Sequence, residues 1–267
     1  MTFKLGLAQC CHPADGDVLG MADRWIQYAN GCSVDFLVFP ESLMTPYELD
    51  PAAFAQASEP LDGLFCTSMN DLAAQYGMWV AYTANERGDR LPYNTAVTVG
   101  PDGVVRAAYR KTHLFDTDFT RESDKVAAGA ALPEPVDMPF GSVCVAICYD
   151  LRFPELARHA AHAGCQLLVY ASAWVDGPRK VDQWKTLLRA RAIENEIYVA
   201  GISRCDRGFG AEQRDYAGNS CVFDPLGDEI ACAGLAEELL VVDIDDAVVR
   251  AAHAAMPVLD HCRYDLY

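Results

Sequence analysis

The chain carries no phosphate-cradling P-loop, no GxGxxG fingerprint and no GxSxG elbow. Their absence removes the commonest sequence marks of nucleotide sites and of the α/β serine hydrolases. Positive charge is scarce: 21 Lys and Arg stand against 38 Asp and Glu, a net charge of −17. So acidic a surface repels phosphate backbones, and no nucleic-acid partner is expected. Apolar runs are short, none nearing the ~20 residues of a membrane helix, and no membrane association is expected. The opening MTFKLGLAQC lacks the layout of a secretory leader. What is missing among the 11 cysteines is pairing. The count is odd, no spacing gives CxxC, and many cysteines sit in apolar runs, where a free thiol behaves as a small hydrophobe. A reduced, cytoplasmic protein is the expectation.

Hydrophobic residues make up 51% of the 267 positions, enough for a sizeable core. Phe3–Gln9 alternates as a first strand, Val18–Asn30 carries a helical pattern that stops at Gly31, and DFLVFP reads as a short buried strand broken by Pro40. Pro60–Tyr76 reads as a helix and MWVAYTANE as a strand. YNTAVTV and VVRAAYRK then flank the turn GPDG as a hairpin. Residues 122–139 read as a loop. A strand runs into Cys148, a helix starts near Phe153 with Pro154 in its first turn, and the strand CQLLVYASAW follows Gly164. Val181–Glu194 is an amphipathic helix; IYVAGIS, NSCVFD and ELLVVDI are further strands, and Asp245 caps a last helix. GCSVDFLVFPES is echoed by GCQLLVYASA, which two packed α-β halves would explain. The class is α/β, the hairpin argues against a purely parallel sheet, and residues 1–267 read as a single domain.

Three titratable residues stand out by position: Glu41 past a buried strand, Lys111 on the apolar face of a hairpin strand, and Cys148 at a strand end. Strand ends of open α/β sheets are where sites are built. A buried lysine favours a neighbouring thiolate against the rise in pKa that an apolar flank causes. A glutamate can take the thiol proton and later activate water, and the lysine can steady an oxyanion. Taken singly, Cys148 reads as a core cysteine, Glu41 as a solvated strand end and Lys111 as a snorkelling edge residue.

FPES, YRKTHLF and CYDLRFPE, in that order, together with the later LLRARAIEN, resemble the nitrilase superfamily of carbon–nitrogen hydrolases over nearly the whole chain. The resemblance implies a four-layer αββα sandwich and a Glu-Lys-Cys triad. Glu41 would be the general base, Lys111 would stabilise the tetrahedral intermediate, and Cys148 would be the nucleophile. Glu122, in TRESD, would be the second, structural glutamate, and the Tyr149 backbone N–H would serve the oxyanion. The residues after the cysteine resemble the Nit-like amidase branch, which implies ω-amidase or deaminated-glutathione amidase activity on a small anionic substrate, without a cofactor. Arg152, Arg179 and Lys180 are candidate partners for the anion and Trp174 is a further candidate lining residue. Family members commonly pair, so a homodimer or higher homo-oligomer is implied, with PVLDHCRYDLY as a tail segment available for exchange.

Other readings remain at this stage. The same triad could hydrolyse an N-carbamoyl amide, or the fold could serve as a non-catalytic binding protein. His113 offers a Cys-His alternative, although a structural hydrogen bond suits it better. His159 and His162 have a spacing that two metal ligands could use, but nothing completes the set, and no metal is expected.

Overall fold

The computed structural model describes residues 2–46, 49–118, 120–206, 215–263 and 265–266. The first half of the chain runs through β1 (Thr2–Gln9), α1 (Val18–Gly31), β2 (Phe36–Val38), α2 (Pro51–Gln56), α3 (Leu64–Tyr76), β3 (Trp79–Glu86), β4 (Tyr93–Val99) and β5 (Val105–Arg110). The second runs through β6 (Val136–Met138), β7 (Gly141–Ile147), α4 (Pro154–His162), β8 (Leu167–Ser172), α5 (Lys180–Asn195), β9 (Tyr198–Ser203), β10 (Cys221–Phe223), β11 (Glu229–Cys232), β12 (Glu238–Asp245) and α6 (Asp246–Ala255). They form two mixed six-stranded sheets, ordered β12-β1-β2-β3-β4-β5 and β11-β10-β9-β8-β7-β6. Among the described residues no helix is long and apolar enough to cross a membrane.

The period of two along each strand builds the layers. Val80, Tyr82, Val97 and Val99 pack with Ala22, Ile26, Met69 and Ala73 of α1 and α3. Their neighbours Trp79, Ala81 and Ala96, with Leu5 and Leu7, face the other way into a core shared with Val143, Val145 and Val169 of the second sheet. That sheet is covered on its far side by Leu156 and Ala160 of α4 and by Trp184 and Leu188 of α5. The result is the four-layer αββα sandwich that the resemblance implied. Central strands buried on both faces read as near-continuous apolar runs, as LLVYAS does.

The internal echo has a structural counterpart. β2 lies parallel between β1 and β3, and β8 lies parallel between β7 and β9. Each sheet closes on an antiparallel hairpin, β4–β5 or β10–β11. In the first, Gly103 takes φ 75°, the left-handed turn position that glycine adopts without strain. The two segments with the shared sequence pattern thus occupy equivalent central places, and their carboxyl ends open toward one another.

Several boundaries differ from the sequence reading. α3 starts at Leu64, because Pro60–Gly63 is spent on a turn closed by the Gly63 N–H to the Pro60 carbonyl (2.8 Å). α2 escaped notice although Asp50 caps it through Ala52 and Ala53, with Pro51 in its first turn. Part of the stretch read as loop, Val136–Met138, is an edge strand, and the short edge strand Glu229–Cys232 has no apolar periodicity to betray it. Val105, assigned to the inner face of the hairpin, is exposed; the alternation holds from Ala107 onward to buried Tyr109. Tyr264 and Tyr267 of the tail lie outside the described residues.

The packing of α5 on β9 is tight enough to test. A Cβ at Gly201 would sit 2.3 Å from a Trp184 ring carbon and 2.6 Å from Leu188 Cδ1. Gly201→Ala should therefore lower stability by about 1–3 kcal/mol in urea unfolding, since overpacking forces backbone or rotamer shifts.

Candidate active site

Four chain segments deliver the titratable groups to one place between the sheets. Pro40 ends the β2 pairing and Ser42 turns the chain at φ 58°, which leaves Glu41 in the bend, 2% exposed. Lys111 follows β5 directly, and its N–H continues the hairpin by donating to the Asn94 carbonyl (2.9 Å). It too is 2% exposed. Glu122 opens a short 3-10 turn and is buried. Cys148 sits where β7 passes into the helical turn Cys148–Arg152, at φ 44°, a left-handed conformation that is costly for a residue bearing a side chain.

Asp150, fully buried, holds this elbow. Its carboxylate accepts from the Ile147 N–H (3.0 Å), the Tyr109 hydroxyl (2.8 Å) and the His113 N–H (3.2 Å). It therefore ties the Cys148 turn to the strand that ends at Lys111.

The Lys111 ammonium lies 2.9 Å from Glu41 Oε1 and 2.9 Å from both Glu122 oxygens. Glu41 Oε1 also accepts from Asn94 Nδ2 (2.8 Å), and Glu41 Oε2 from the Ala173 N–H (2.9 Å). Glu122 Oε2 accepts from the Phe115 N–H (2.6 Å).

These contacts set the protonation states. Burial pushes the Glu41 carboxyl up, but the Lys111 charge and the hydrogen bonds outweigh it and leave Glu41 below its ordinary range. For Glu122, burial and the Glu41 charge prevail over Lys111, and its carboxyl is raised. The Cys148 thiol is pushed well above its usual range by burial and by the Glu41 carboxylate, with Lys111 opposing. Lys111 thus draws the thiol toward thiolate as expected, but burial and the Glu41 charge outweigh it. The arrangement sets the Cys148 thiol in the same pocket as an ionised carboxylate that could take its proton as the sulfur attacks.

Glu41, Lys111, Glu122 and Cys148 line one pocket together with Tyr149, Arg152, Trp174 and Lys180. It encloses about 440 Å³ of atom-free space, part of it open to solvent. The Arg152 guanidinium lies 5.0 Å from the Trp174 ring centroid and donates to Gln183 Oε1 (3.0 Å). Lys180 Nζ lies 5.7 Å from the Phe115 ring and 5.8 Å from that of Trp174. Its pKa is lowered by burial and by the neighbouring Arg152 charge. Tyr149 is second in the Cys148–Arg152 turn, so its N–H finds no acceptor within that turn.

Not every candidate arrives. Arg179 lies outside the pocket; its side chain is 83% exposed and sits 3.9 Å from Asp182. Its neighbour Lys180 occupies the place instead, because a single step along the chain into α5 redirects the side chain. His113 packs flat on Phe153 (3.7 Å between centroids) with Nδ1 2.8 Å from Asp150 Oδ1, a structural role remote from the Cys-His alternative. His159 pairs with Glu134 (3.1 Å), and among the described residues no group of three or more His, Cys, Asp or Glu is set to hold a metal. Sequence reasoning missed Asn94 and Asp150. Asn94 had a signal, since the strand period places it on the same buried face as Ala96. Asp150 stood beside the nucleophile candidate without one.

The carbon–nitrogen hydrolase family profile matches residues 4–254. The chain is 39% identical over 231 residues to the deaminated glutathione amidase of Rattus norvegicus, covering 82% of this chain and 69% of that protein. It is 34% identical over 277 residues to the omega-amidase NIT2 of Danio rerio, covering 99% and 96%. In fold it matches the carbon–nitrogen hydrolase of Helicobacter pylori G27 with a TM-score of 0.91, covering 100% of this chain and 97% of that one at 23% identity.

The buried charges predict a pH-dependent stability defect. Lys111→Met leaves two buried carboxyls without a cation, so their folded-state pKa values rise above the unfolded ones. The folded state is then favoured where they are protonated and loses ground as pH rises. Urea unfolding should show a deficit of about 3–5 kcal/mol near neutral pH that shrinks toward about pH 4.5.

Proposed function

This chain belongs to the carbon–nitrogen hydrolase family, and from that premise we propose that it is an amidase cleaving a small anionic amide through a thioester on Cys148. The single observation that carries the reading is the convergence of Cys148, Glu41 and Lys111 on one pocket, with the Lys111 ammonium 2.9 Å from the Glu41 carboxylate. In the forward step the Cys148 proton passes to Glu41 as Sγ bonds to the amide carbon. The developing oxyanion is met by the Lys111 charge and the Tyr149 N–H. Glu41 returns the proton to the departing nitrogen, the carbon–nitrogen bond breaks, and a thioester remains. Water then gives a proton to Glu41 and attacks the thioester. The sulfur departs and recovers its proton, leaving a carboxylic acid. Glu122 holds Lys111 in line throughout.

Besides Lys111, two cations at the pocket, Arg152 and Lys180, support an anionic substrate in a protein of net charge −17. Charge-assisted bonds act at contact, while distant surface charge is screened beyond ~8 Å at physiological ionic strength. Arg152 is the first candidate for the carboxylate and Lys180 the second. The amidase names of the two curated relatives agree with this class. The proposal extends to a single domain over 1–267, a cytoplasmic location and a homodimer or higher homo-oligomer. Light scattering that found only a 29.2 kDa particle would remove the assembly part.

The test is a parallel ammonia-release screen with 2-oxoglutaramate, an N-carbamoyl amine and a simple nitrile, with cleavage of deaminated glutathione followed separately. Cys148→Ala should be inactive on all of them while remaining folded. Arg152→Ala should raise KM for the anionic amide about 10- to 100-fold, the worth of one hydrogen bond to a charged group, and leave a neutral amide nearly unchanged. Arg179→Ala should be silent. Preference for a cationic carbamoyl amine or the nitrile would overturn the substrate class, and an active Cys148→Ala would overturn the mechanism.

A further inference from the structure

Away from the pocket, the sulfurs of Cys11 and Cys205 lie 3.3 Å apart although 194 positions separate them in sequence. Cys11 follows β1 of the first sheet and Cys205 follows β9 of the second, so the contact spans the joint between the sheets. Both backbones are held in place. The Cys11 N–H donates to Glu237 Oε1 (2.9 Å), the His12 N–H to Asp206 Oδ2 (3.2 Å), and Arg204 Nε to Asp206 Oδ1 (2.9 Å). Cys205 is buried, whereas Cys11 is partly exposed.

We propose that Cys11 and Cys205 form a thiol–disulfide modification site, closed by a hydroperoxide and reopened by a dithiol. Cys11 attacks one peroxide oxygen; the O–O bond breaks, an alcohol (water, for hydrogen peroxide) leaves, and Cys11 becomes a sulfenic acid. The Cys205 sulfur then attacks the Cys11 sulfur. The S–O bond breaks, and hydroxide leaves as water with the Cys205 proton. Two thiols and one hydroperoxide become one disulfide, one alcohol and one water. The sulfurs need only close from 3.3 Å to about 2.05 Å.

The environment assigns the order of events. The contact with Cys205 draws the Cys11 thiol below its ordinary range against burial and the charges of Glu237 and Asp206, while Cys205 is pushed up by that contact and by burial. The exposed sulfur with more thiolate character is oxidised first, and the buried one resolves it. Two other pairs differ. Cys144 and Cys165 are both buried. Cys221 and Cys232 pair within one hairpin, where Cys232 is likewise drawn down, to about 6, by Cys221 and Lys185, but a bond there would join neighbouring strands of one sheet rather than the two sheets. Arg204, next to Cys205, also donates to the Ser42 carbonyl (3.4 Å), so the site adjoins the bend that carries Glu41.

The test is to treat the intact protein with hydrogen peroxide, block free thiols and map peptides without reduction. The expected product is a Cys11 peptide joined to a Cys205 peptide, lost on adding dithiothreitol and absent from Cys11→Ser and Cys205→Ser. Oxidised wild type should also unfold at a higher temperature than reduced wild type, because the cross-link closes a long loop. The mapping on wild type stands even if a variant fails to fold. Cys11 and Cys205 still alkylatable after Cys148 or Cys232 has been oxidised, or Cys11 joined to another cysteine, would overturn the proposal.

Discussion

The Lys111 ammonium is withdrawn from water between two carboxylates, and much of the surrounding structure answers to that burial. Taking an ion out of water costs several kcal/mol unless it is paired and every remaining oxygen finds a donor. Here Asn94 and the N–H groups of Ala173 and Phe115 complete the shell. These donors come from β4, from the loop after β8 and from the stretch after β5. One charge therefore fixes the relative positions of segments from both sheets. Burial and the Glu41 charge push the Cys148 thiol up, while Lys111 and the hydrogen bonds hold Glu41 below its ordinary range.

The sandwich makes that convergence possible. Two sheets with parallel centres pack face to face, and their equivalent strands β2 and β8 end on the same side. Glu41, just past one end, accepts from the backbone just past the other. The geometry follows from short side chains and alternation: Ala81, Ala96, Val143 and Val145 let the sheets approach, while the opposite faces receive the helices. The elbow at Cys148 adds local strain, held by Asp150, whose partners lie on the neighbouring chain segments rather than in the turn alone. The proposed nucleophile, base and cation are each held by backbone or by buried polar partners.

Glu41, Lys111 and Cys148 could be picked out in the sequence because each sits where a regular pattern ends on a residue that pattern would not choose, while Glu122 was marked only by the family resemblance. Lys111 closes an apolar strand face, Cys148 ends an apolar run, and three ordered motifs resemble one family. The central strands were equally plain, since burial on both faces demands unbroken apolar runs. Edge strands Val136–Met138 and Glu229–Cys232 were not, because an edge is half solvated and its residues need no period.

Sequence by itself thus determined the α/β class and the reactive candidates Glu41, Lys111 and Cys148 from local periodicity and residue chemistry, and the layers and Glu122 through the family resemblance. The tertiary structure decided what depends on through-space distance. It put Lys180 rather than Arg179 in the pocket, since one step of backbone redirects a side chain. It made Cys148 a thiol rather than a thiolate, since two carboxylates and burial outweigh one ammonium. It brought Asn94 and Asp150 into the site and set Cys11 against Cys205, because such contacts join positions that only folding makes neighbours.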